Sequence, residues 1–234
     1  MKAYARHIGI VACSAEGAAL CYRTICKEGA ELMGRHMHPE VSMHTFPLGT
    51  YMERIYRDDW EGVAGLMLQS AGVLQNAGAE FLICPDNTIH QAFETVQQHS
   101  PLPWLHIAEE VAKAAVDRNY RRTGILGTRY LMTGPVYSRM FGKYKIQYVI
   151  PEEKDRENVD RLIFNELVYG EVRPETRMYF LELVRGFKAA GCDSVVLGCT
   201  EIPLVVLPGD SDLPLLDSTR ILAQAALREA LNRV

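Results

Sequence analysis

The sequence AGAEFLICPDNT, residues 77–88, returns in altered form as AGCDSVVLGCT, residues 190–200. Each copy begins with Ala-Gly, carries an acidic residue two positions after the glycine, and continues into a run of apolar residues. This order is typical of a helix that ends at a glycine and is followed by a buried strand. Eight residues after each glycine, Asp86 of the first copy corresponds to Cys199 of the second. The two stretches therefore predict a duplicated α/β unit.

Other segments extend the repeat. GIVA at residues 9–12 corresponds to GILG at residues 124–127, which gives a period of about 115 residues. Short apolar runs alternate with helical patterns along the chain, as they do in βαβ units that build parallel sheets covered by helices. The predicted strands are residues 8–12, 41–46, 81–84, 105–107, 123–126, 145–149, 194–197 and 215–216. The predicted helices are residues 16–33, 60–77, 88–98, 108–118, 131–141, 157–168, 175–190 and 218–232.

This pattern predicts an α/β fold with two pseudo-symmetric lobes, each a parallel sheet flanked by helices. Lobe 1 is predicted to span residues 1–101, with a C-terminal helix at 216–234 packing back on it, and lobe 2 to span residues 102–215. Ligands of open parallel sheets bind beyond the carboxyl ends of the strands. We therefore expect an active site in the cleft between the lobes, with Asp86 and Cys199 facing it from opposite sides.

The composition excludes several classes of protein. With 48% hydrophobic and 23% charged residues, the 234-residue chain is not an intrinsically disordered protein. Its net charge is −4, whereas a nucleic-acid binder needs a basic surface to contact the phosphates. The charge therefore argues against a nucleic-acid-binding protein. We see no targeting signal, and the apolar runs are too short to cross a bilayer, so no membrane attachment is expected. The six cysteines contain no CxxC pair and are interpreted as free thiols in a reducing cytoplasm, with no metal site.

Asp86 and Cys199 are candidates for acid–base chemistry. Two proton-transfer groups that flank one carbon can remove a proton from one face and return it to the other, which inverts a stereocentre without a cofactor. A thiol suits this role because its pKa, ordinarily about 8.5, can be tuned toward working pH. Asn87, Thr88 and Thr200 follow strand ends, where free N–H groups bind carboxylates and stabilise an enolate.

Two motifs carry a resemblance to a known family. CPDNTIH, residues 84–90, resembles the Cys-Asn-Thr-x-His motif of the cofactor-independent aspartate/glutamate racemase family, and GCTEI, residues 198–202, resembles its second motif. LGTRY at residues 126–130 and LHIA at residues 105–108 are also similar to segments of its amino-acid racemases. The resemblance covers essentially the whole chain. It implies an amino-acid or dicarboxylate substrate, no pyridoxal phosphate, no metal, and a homodimer.

The resemblance also implies roles for individual residues. Cys199 matches the second catalytic cysteine of the family. The first catalytic position, usually cysteine and sometimes threonine, holds Asp86 here, and Cys84 two residues earlier is the alternative at this position. The positions that bind the substrate α-carboxylate match Asn87, Thr88 and Thr200.

Three further residues are substrate-binding candidates by the same resemblance. Thr128 matches a threonine that lines the site. Arg173 lies in a segment that in relatives carries a residue binding the distal carboxylate. Ser14 lies in the loop at residues 12–16, which replaces a Gly-Gly-Met-Gly type loop of the family, and is expected to contact substrate. His90 is interpreted as a packing residue beside the site rather than as a base.

The sequence thus predicts a racemase that acts on aspartate or glutamate by proton abstraction at Cα, with Cys199 and Asp86 as the two acid–base groups. An aspartate, with an ordinary pKa of about 3.9, is a weak base for such a proton. Two alternatives therefore remain open. One is a decarboxylase or cis–trans isomerase of a small dicarboxylic acid that uses one thiol. The other is a noncatalytic binder of amino acids that keeps the cleft but has lost the pair of bases. A separate interpretation of Asp86, Asn87 and Thr88 is that they open the next helix, alone or in addition to a role in the site.

Overall fold

The computed structural model describes residues 5–231. Its strands are β1 (Ile8–Ala12), β2 (Val41–Thr45), β3 (Phe81–Ile83), β4 (Trp104–Leu105), β5 (Arg122–Leu126), β6 (Gln147–Val149), β7 (Ser194–Leu197) and β8 (Leu215–Asp217). Its α-helices are α1 (Ala15–Met33), α2 (Leu48–Ile55), α3 (Trp60–Asn76), α4 (Phe93–His99), α5 (Ile107–Asp117), α6 (Arg129–Thr133), α7 (Pro135–Tyr144), α8 (Glu153–Asn165), α9 (Pro174–Ala189) and α10 (Ser218–Leu231). Short 3₁₀ helices cover Thr88–Ala92, Leu167–Tyr169 and Ile202–Leu204.

The described strands form two four-stranded sheets, and every strand pair within them is parallel. The first sheet has the order β2-β1-β3-β4 and the second the order β6-β5-β7-β8. The two orders are the same once β1 is matched with β5 and β3 with β7, which are the matches that the repeated stretches predict. The predicted α/β class with two parallel sheets is confirmed.

The chain forms two compact units. The first contains the described residues up to Ile107 together with those from Thr219 onward, and the second is Ala108–Ser218. Helix α10 belongs to the first unit by its packing, since its buried residues share one apolar core with β1 and β3. Residues 1–4 and 232–234 of the predicted lobe 1, including the end of the predicted C-terminal helix at Asn232, lie outside the described residues. No helix within residues 5–231 combines the length and apolar character needed to cross a membrane.

The glycines of the two repeated stretches end helices in the same way. Gly78 and Gly191 have positive φ angles of 93° and 78°, a region that glycine adopts without steric cost. In both stretches the N–H of the next residue donates to a carbonyl five positions earlier, at 3.0 Å. This is the helix-ending pattern in which a left-handed glycine turns the chain away from the helix axis. This turn connects α3 to β3 in the first unit and α9 to β7 in the second.

The acidic residues of the two stretches also have equivalent contacts. Glu80 Oε2 accepts a hydrogen bond from the His7 N–H, 3.0 Å away, just before β1. Asp193 Oδ2 accepts one from the Arg122 N–H, 3.2 Å away, at the start of β5. Each carboxylate therefore joins the amino end of one strand to the amino end of its neighbour. The repeated acidic residue is a structural element of each unit.

Some predicted elements are wrong in detail. The single helix predicted at residues 131–141 is two helices, α6 and α7, because Gly134 is extended and Pro135 can begin a helix but cannot continue one. The helix predicted at residues 88–98 starts as a 3₁₀ helix and becomes α-helical at Phe93. Helix α8 begins at Glu153, four residues earlier than predicted. Helix α2 was not predicted, since Pro47 and Gly49 indicate a loop.

Candidate active site

The first group of candidate residues follows β3 at the carboxyl edge of the first sheet. Asp86 is partly buried, and Asn87 is 3% exposed. Asp86 Oδ1 accepts a hydrogen bond from the Ile89 N–H at 3.2 Å, which holds the first turn of the 3₁₀ helix Thr88–Ala92. The Asp86 carboxylate thus caps the start of this helix, one of the roles that the sequence suggested for it. That role uses one of its oxygens as an acceptor and leaves its acid–base chemistry intact.

Cys84, the alternative to Asp86, is completely buried. Burial raises the pKa of the Cys84 thiol well above its ordinary range, and the nearby Asp86 carboxylate raises it further, against the opposing effect of a hydrogen bond from the Asp86 backbone. The thiol therefore stays protonated and sits where a substrate has no access to it. A structural thiol of this kind is chemically inert.

His90 fixes the backbone of the Asp86 segment. Its Nδ1 lies 2.6 Å from the Asp86 carbonyl oxygen, and its Nε2 accepts a weak hydrogen bond from the Ile107 N–H at 3.4 Å. The ring stacks on Phe93, with centroids 5.3 Å apart, and meets His106 edge-on at 4.7 Å. Burial, followed by the neighbouring His106, lowers the pKa of His90 well below its ordinary value of 6.5. The ring is neutral, carries its proton on Nδ1, and supports the site without serving as its base.

This buried, neutral histidine makes the protein acid-sensitive. Below pH 6.5 the unfolded chain protonates His90 while the folded chain does not, so its contribution to stability falls as the pH falls. The free energy of unfolding falls by about 1.4 kcal/mol for each pH unit below 6.5, as long as the folded chain keeps His90 neutral. We expect His90→Asn, which keeps a donor for the Asp86 carbonyl, to show a shallower loss of unfolding free energy between about pH 7 and pH 5, measured by urea denaturation.

His99 provides the matched control. It is exposed, and its Nδ1 also faces the carbonyl four residues earlier, that of Thr95, at 2.9 Å. His99→Asn should therefore keep the pH dependence of the parent protein. Equal slopes for His90→Asn and the parent would contradict the interpretation.

The second group of candidate residues follows β7 in the second unit. Cys199 is partly buried, and its Sγ lies 2.9 Å from Oε2 of Glu201. Thr200 Oγ1 donates to the same oxygen at 2.7 Å. Glu201 is 3% exposed. Both the thiol and the hydroxyl therefore donate to one oxygen of Glu201. The arrangement pairs a thiol with a buried proton acceptor.

Sequence analysis assigned no role to Glu201. A glutamate in a Cys-Thr-Glu-Ile-Pro segment gives no signal that separates a surface residue from a buried one. It is buried because the 3₁₀ helix Ile202–Leu204 turns directly after it, with Ile202 fully buried in the core of the second unit. The sequence signals for Glu201 were its place in the GCTEI motif and its position two residues after Cys199.

Gly198 lets the Cys199 segment approach β5 closely. Its N–H donates to the Leu126 carbonyl at 2.7 Å. A Cβ on this residue would lie 2.9 Å from that carbonyl oxygen and 2.5 Å from Leu131 Cδ2, which no side chain permits. The glycine therefore fixes Cys199 at the carboxyl edge of the second sheet.

Ser14 and Thr128 occupy equivalent positions in the two units. Ser14 begins α1, and its Oγ accepts from the Gly17 N–H at 3.3 Å. Thr128 begins α6, is 7% exposed, and its Oγ1 accepts from the Leu131 N–H at 3.2 Å. Both hydroxyls are N-caps that satisfy a free N–H in the first turn of the helix. Ser14 follows β1, which pairs with β3 before Asp86, and Thr128 follows β5, which pairs with β7 before Cys199.

Arg173 lies at the start of α9 and is exposed. Its Nη2 donates to Glu171 Oε2 at 3.0 Å, and its Nη1 lies 3.6 Å from Oε1 of the buried Glu166. The guanidinium therefore faces two carboxylates of its own unit. A substrate carboxylate that binds Arg173 must compete with them.

The chain resembles several known proteins. A sequence model of the Asp/Glu/Hydantoin racemase family matches residues 8–226. A broad-specificity amino-acid racemase of Bacillus subtilis is 24% identical over 190 residues, which cover 81% of this chain and 81% of that enzyme. A glutamate racemase of Pseudomonas aeruginosa is 25% identical over 159 residues, which cover 68% of this chain and 57% of that enzyme.

Solved structures are similar as well. A candidate Asp/Glu racemase from Yersinia pestis matches with a TM-score of 0.89 and 30% identity, over 97% of this chain and 100% of that chain. An aspartate racemase homologue from Pyrococcus horikoshii matches with a TM-score of 0.83 and 27% identity, over 98% of this chain and 99% of that chain.

Proposed function

Because this chain belongs to the Asp/Glu/Hydantoin racemase family, we propose that it racemises an acidic amino acid with Cys199 and Asp86 as its two acid–base groups. The chain is an amino-acid racemase, an isomerase. The acidic substrate is supported by relatives named as a glutamate racemase and an aspartate racemase homologue. The substrate class and the Cys199–Asp86 pair are the parts that require a test.

One observation carries the proposal: the Cys199 thiol donates to the buried Glu201 carboxylate at 2.9 Å. A thiol that donates to a carboxyl oxygen has an acceptor close to its proton. Transfer of that proton to Glu201 leaves a thiolate, the form that removes a proton from carbon. Asp86, which follows the equivalent strand of the first unit, then supplies the second acid–base group.

The proposed reaction proceeds through an enolate. The Cys199 thiolate takes the proton from Cα of one enantiomer, and the electron pair of the C–H bond moves into the substrate carboxylate. Asp86, protonated at the start, donates its proton to the opposite face of Cα. Reaction of the other enantiomer uses the same groups in reverse, with Asp86 as base and Cys199 as acid. Because a carboxylate is the weaker base, we expect unequal kcat values in the two directions.

The charge of the enolate requires donors near the substrate α-carboxylate. The candidates are the three residues beside the acid–base groups, Asn87, Thr88 and Thr200. Preorganised donors at such a position lower the barrier because they stabilise charge that develops only in the transition state. We propose that Ser14 and Thr128 contact the substrate and that Arg173 binds the distal carboxylate in exchange for Glu171.

The substitution of a carboxylate for the first thiol also supports a second function, because Cys84 is inert and Cys199 would act alone. That function is a decarboxylation or cis–trans isomerisation of a small dicarboxylic acid. Location in the cytoplasm and assembly as a homodimer also remain proposals. All six cysteines are free thiols, in keeping with a reducing compartment.

The test is solvent deuterium exchange. Each enantiomer of aspartate and glutamate is incubated with the protein in D₂O, and Cα–H loss is followed by proton NMR while chiral chromatography follows inversion. We expect exchange with inversion from both enantiomers of at least one amino acid. Exchange with retention only, or loss of CO₂, would support the one-thiol reaction. Ligand-induced thermal stabilisation without any exchange would identify a binder and refute the proposal.

A further inference from the structure

The segment between α8 and α9 folds around the backbone of Glu166, the first residue after α8. The Glu166 carbonyl oxygen accepts hydrogen bonds from the N–H groups of Tyr169, at 3.0 Å, and Glu171, at 3.1 Å. Gly170, between those two residues, has a φ of 73°, a conformation that glycine adopts without steric cost. The backbone of Glu166 therefore fixes the path of the chain toward Arg173.

The side chain of Glu166 is also held in place within the second unit. Its Oε2 accepts a hydrogen bond from Oγ1 of Thr176, in α9, at 2.5 Å. Glu166 and Thr176 are both buried. A hydrogen bond between two buried groups is costly to break, because neither group can turn to solvent for another partner. The Glu166 carboxyl group thus has a fixed position.

Arg173 contacts two carboxyl groups that differ in exposure. Its Nη1 lies 3.6 Å from Glu166 Oε1, and its Nη2 donates to Glu171 Oε2 at 3.0 Å. The Glu166 side chain is 7% exposed, whereas that of Glu171 is 54% exposed. An exposed ion pair is weak because water screens it, whereas a buried carboxyl group has no solvent to replace its partner. A ligand carboxylate can therefore displace Glu171, while Glu166 stays beside the guanidinium.

We propose that Glu166 is a positioning residue for Arg173: its fixed carboxyl group attracts Nη1 and so orients the guanidinium, which leaves Nη2 for the ligand. Glu171 has the opposite effect, since it occupies Nη2 and competes with the distal carboxylate of an acidic substrate. This inference rests on the proposed function in one respect, namely that Arg173 binds that carboxylate. The pairing of Arg173 with Glu166 itself requires no substrate.

The first test is the effect of Glu166→Gln on KM and kcat, measured with each enantiomer of aspartate and glutamate. Glutamine keeps an acceptor for Thr176 and removes the charge that attracts the guanidinium. We expect KM to rise by about tenfold with kcat nearly unchanged, because a displaced cation binds the distal carboxylate less well. An unchanged KM, a lowered KM, or a loss confined to kcat would each overturn the proposal.

The second test is Glu171→Gln, for which the expected change has the opposite sign. Removal of the competing charge should lower KM for the same substrates by about two- to fivefold, the contribution of an exposed ion pair. Glu175→Gln, which neutralises another exposed glutamate two residues after Arg173, is the control and should keep the parent KM. A general loss of stability cannot move KM in opposite directions in two variants. A raised KM in Glu171→Gln would contradict the proposal.

Asp210→Asn is the matched control for Glu166→Gln. Asp210 Oδ1 accepts a hydrogen bond from Nη2 of Arg177, one turn after Arg173 in α9, at 2.7 Å. The variant thus removes a carboxylate from a neighbouring arginine of the same unit. It should keep the parent KM. An equal rise of KM in Asp210→Asn and Glu166→Gln would mean a general effect of charge and would overturn the proposal.

Urea denaturation separates this proposal from the proposed function. Glu166→Gln and Arg173→Gln remove the same interaction, so the double variant should lose less free energy of unfolding than the sum of the two single losses. Such coupling, together with an unchanged KM in Arg173→Gln, would support the Glu166–Arg173 pair and refute Arg173 as the residue that binds the distal carboxylate. Additive losses would overturn the pair, even if the protein racemises aspartate or glutamate.

Discussion

Replacing Cys199 by serine should lower the racemisation rate by about 10²- to 10⁴-fold, the contribution of one general acid–base group. Serine fills nearly the same volume and keeps a donor for Glu201, so the bonding within the segment survives. Its hydroxyl loses a proton far less readily than a thiol, so the base that removes the Cα proton is lost. The measurement is kcat from each enantiomer by chiral chromatography, with thermal unfolding as a check on the fold.

Cys192→Ser is the control for this variant. Cys192 is also in the second unit and is 6% exposed, but it precedes β7, at the opposite end of the strand from Cys199. It should retain the kcat of the parent protein. If Cys199→Ser kept full turnover, Cys199 would not be an acid–base group. If both variants lost activity equally, the loss would reflect damage to the unit.

Replacing Asp86 by asparagine should separate inversion from exchange. Asparagine Oδ1 can still accept the hydrogen bond from the Ile89 N–H, so the 3₁₀ turn is preserved, but the amide neither takes nor gives a proton. We expect racemisation to fall by about 10²- to 10⁴-fold. Cys199 can still remove and return a proton on its own face. One enantiomer should therefore exchange its Cα proton for deuterium with retention of configuration, as measured by proton NMR in D₂O.

Asp59→Asn provides the matched control in the same unit. Asp59 Oδ1 accepts the Gly62 N–H at 2.8 Å, a contact three residues ahead like that of Asp86 with Ile89. This variant should keep full racemisation. The two-base assignment is wrong if Asp86→Asn still inverts both enantiomers, or if it stops exchange of both while Cys199 is intact.

The sequence predicts the sheets well because their signals are local. A glycine that ends a helix, an acidic residue two positions later, and a short apolar strand follow one another within a few residues, and the structure gives each a physical reason. Helix α2 is missed because Pro47 and Gly49 indicate a loop. It forms because Tyr51 and Ile55 are buried, which depends on tertiary packing.

Sequence analysis likewise identifies those site residues that have a local signal and misses those that depend on tertiary packing. Asp86 and Cys199 stand out because they follow equivalent strands, β3 and β7. Glu201 does not, since its importance lies in burial and in contacts: its Oε2 accepts hydrogen bonds from Cys199 and Thr200. Arg173 was predicted as a cation for substrate, whereas its contacts with Glu166 and Glu171 arise from a loop that no local pattern indicates.

The residues that end each helix and fix each strand lie before β3 and β7, whereas Asp86 and Cys199 lie after them. Gly78 and Glu80, like Gly191 and Asp193, act at the amino ends of the strands. In each unit, the residues that stabilise the strand thus lie at its amino end, and the candidate acid–base residue lies at its carboxyl end. Mutation can exchange a thiol for a carboxylate after a strand without disturbing the contacts that form it. This separation makes the segment evolvable, and it explains how one half of a duplicated protein can carry an acid that the other lacks.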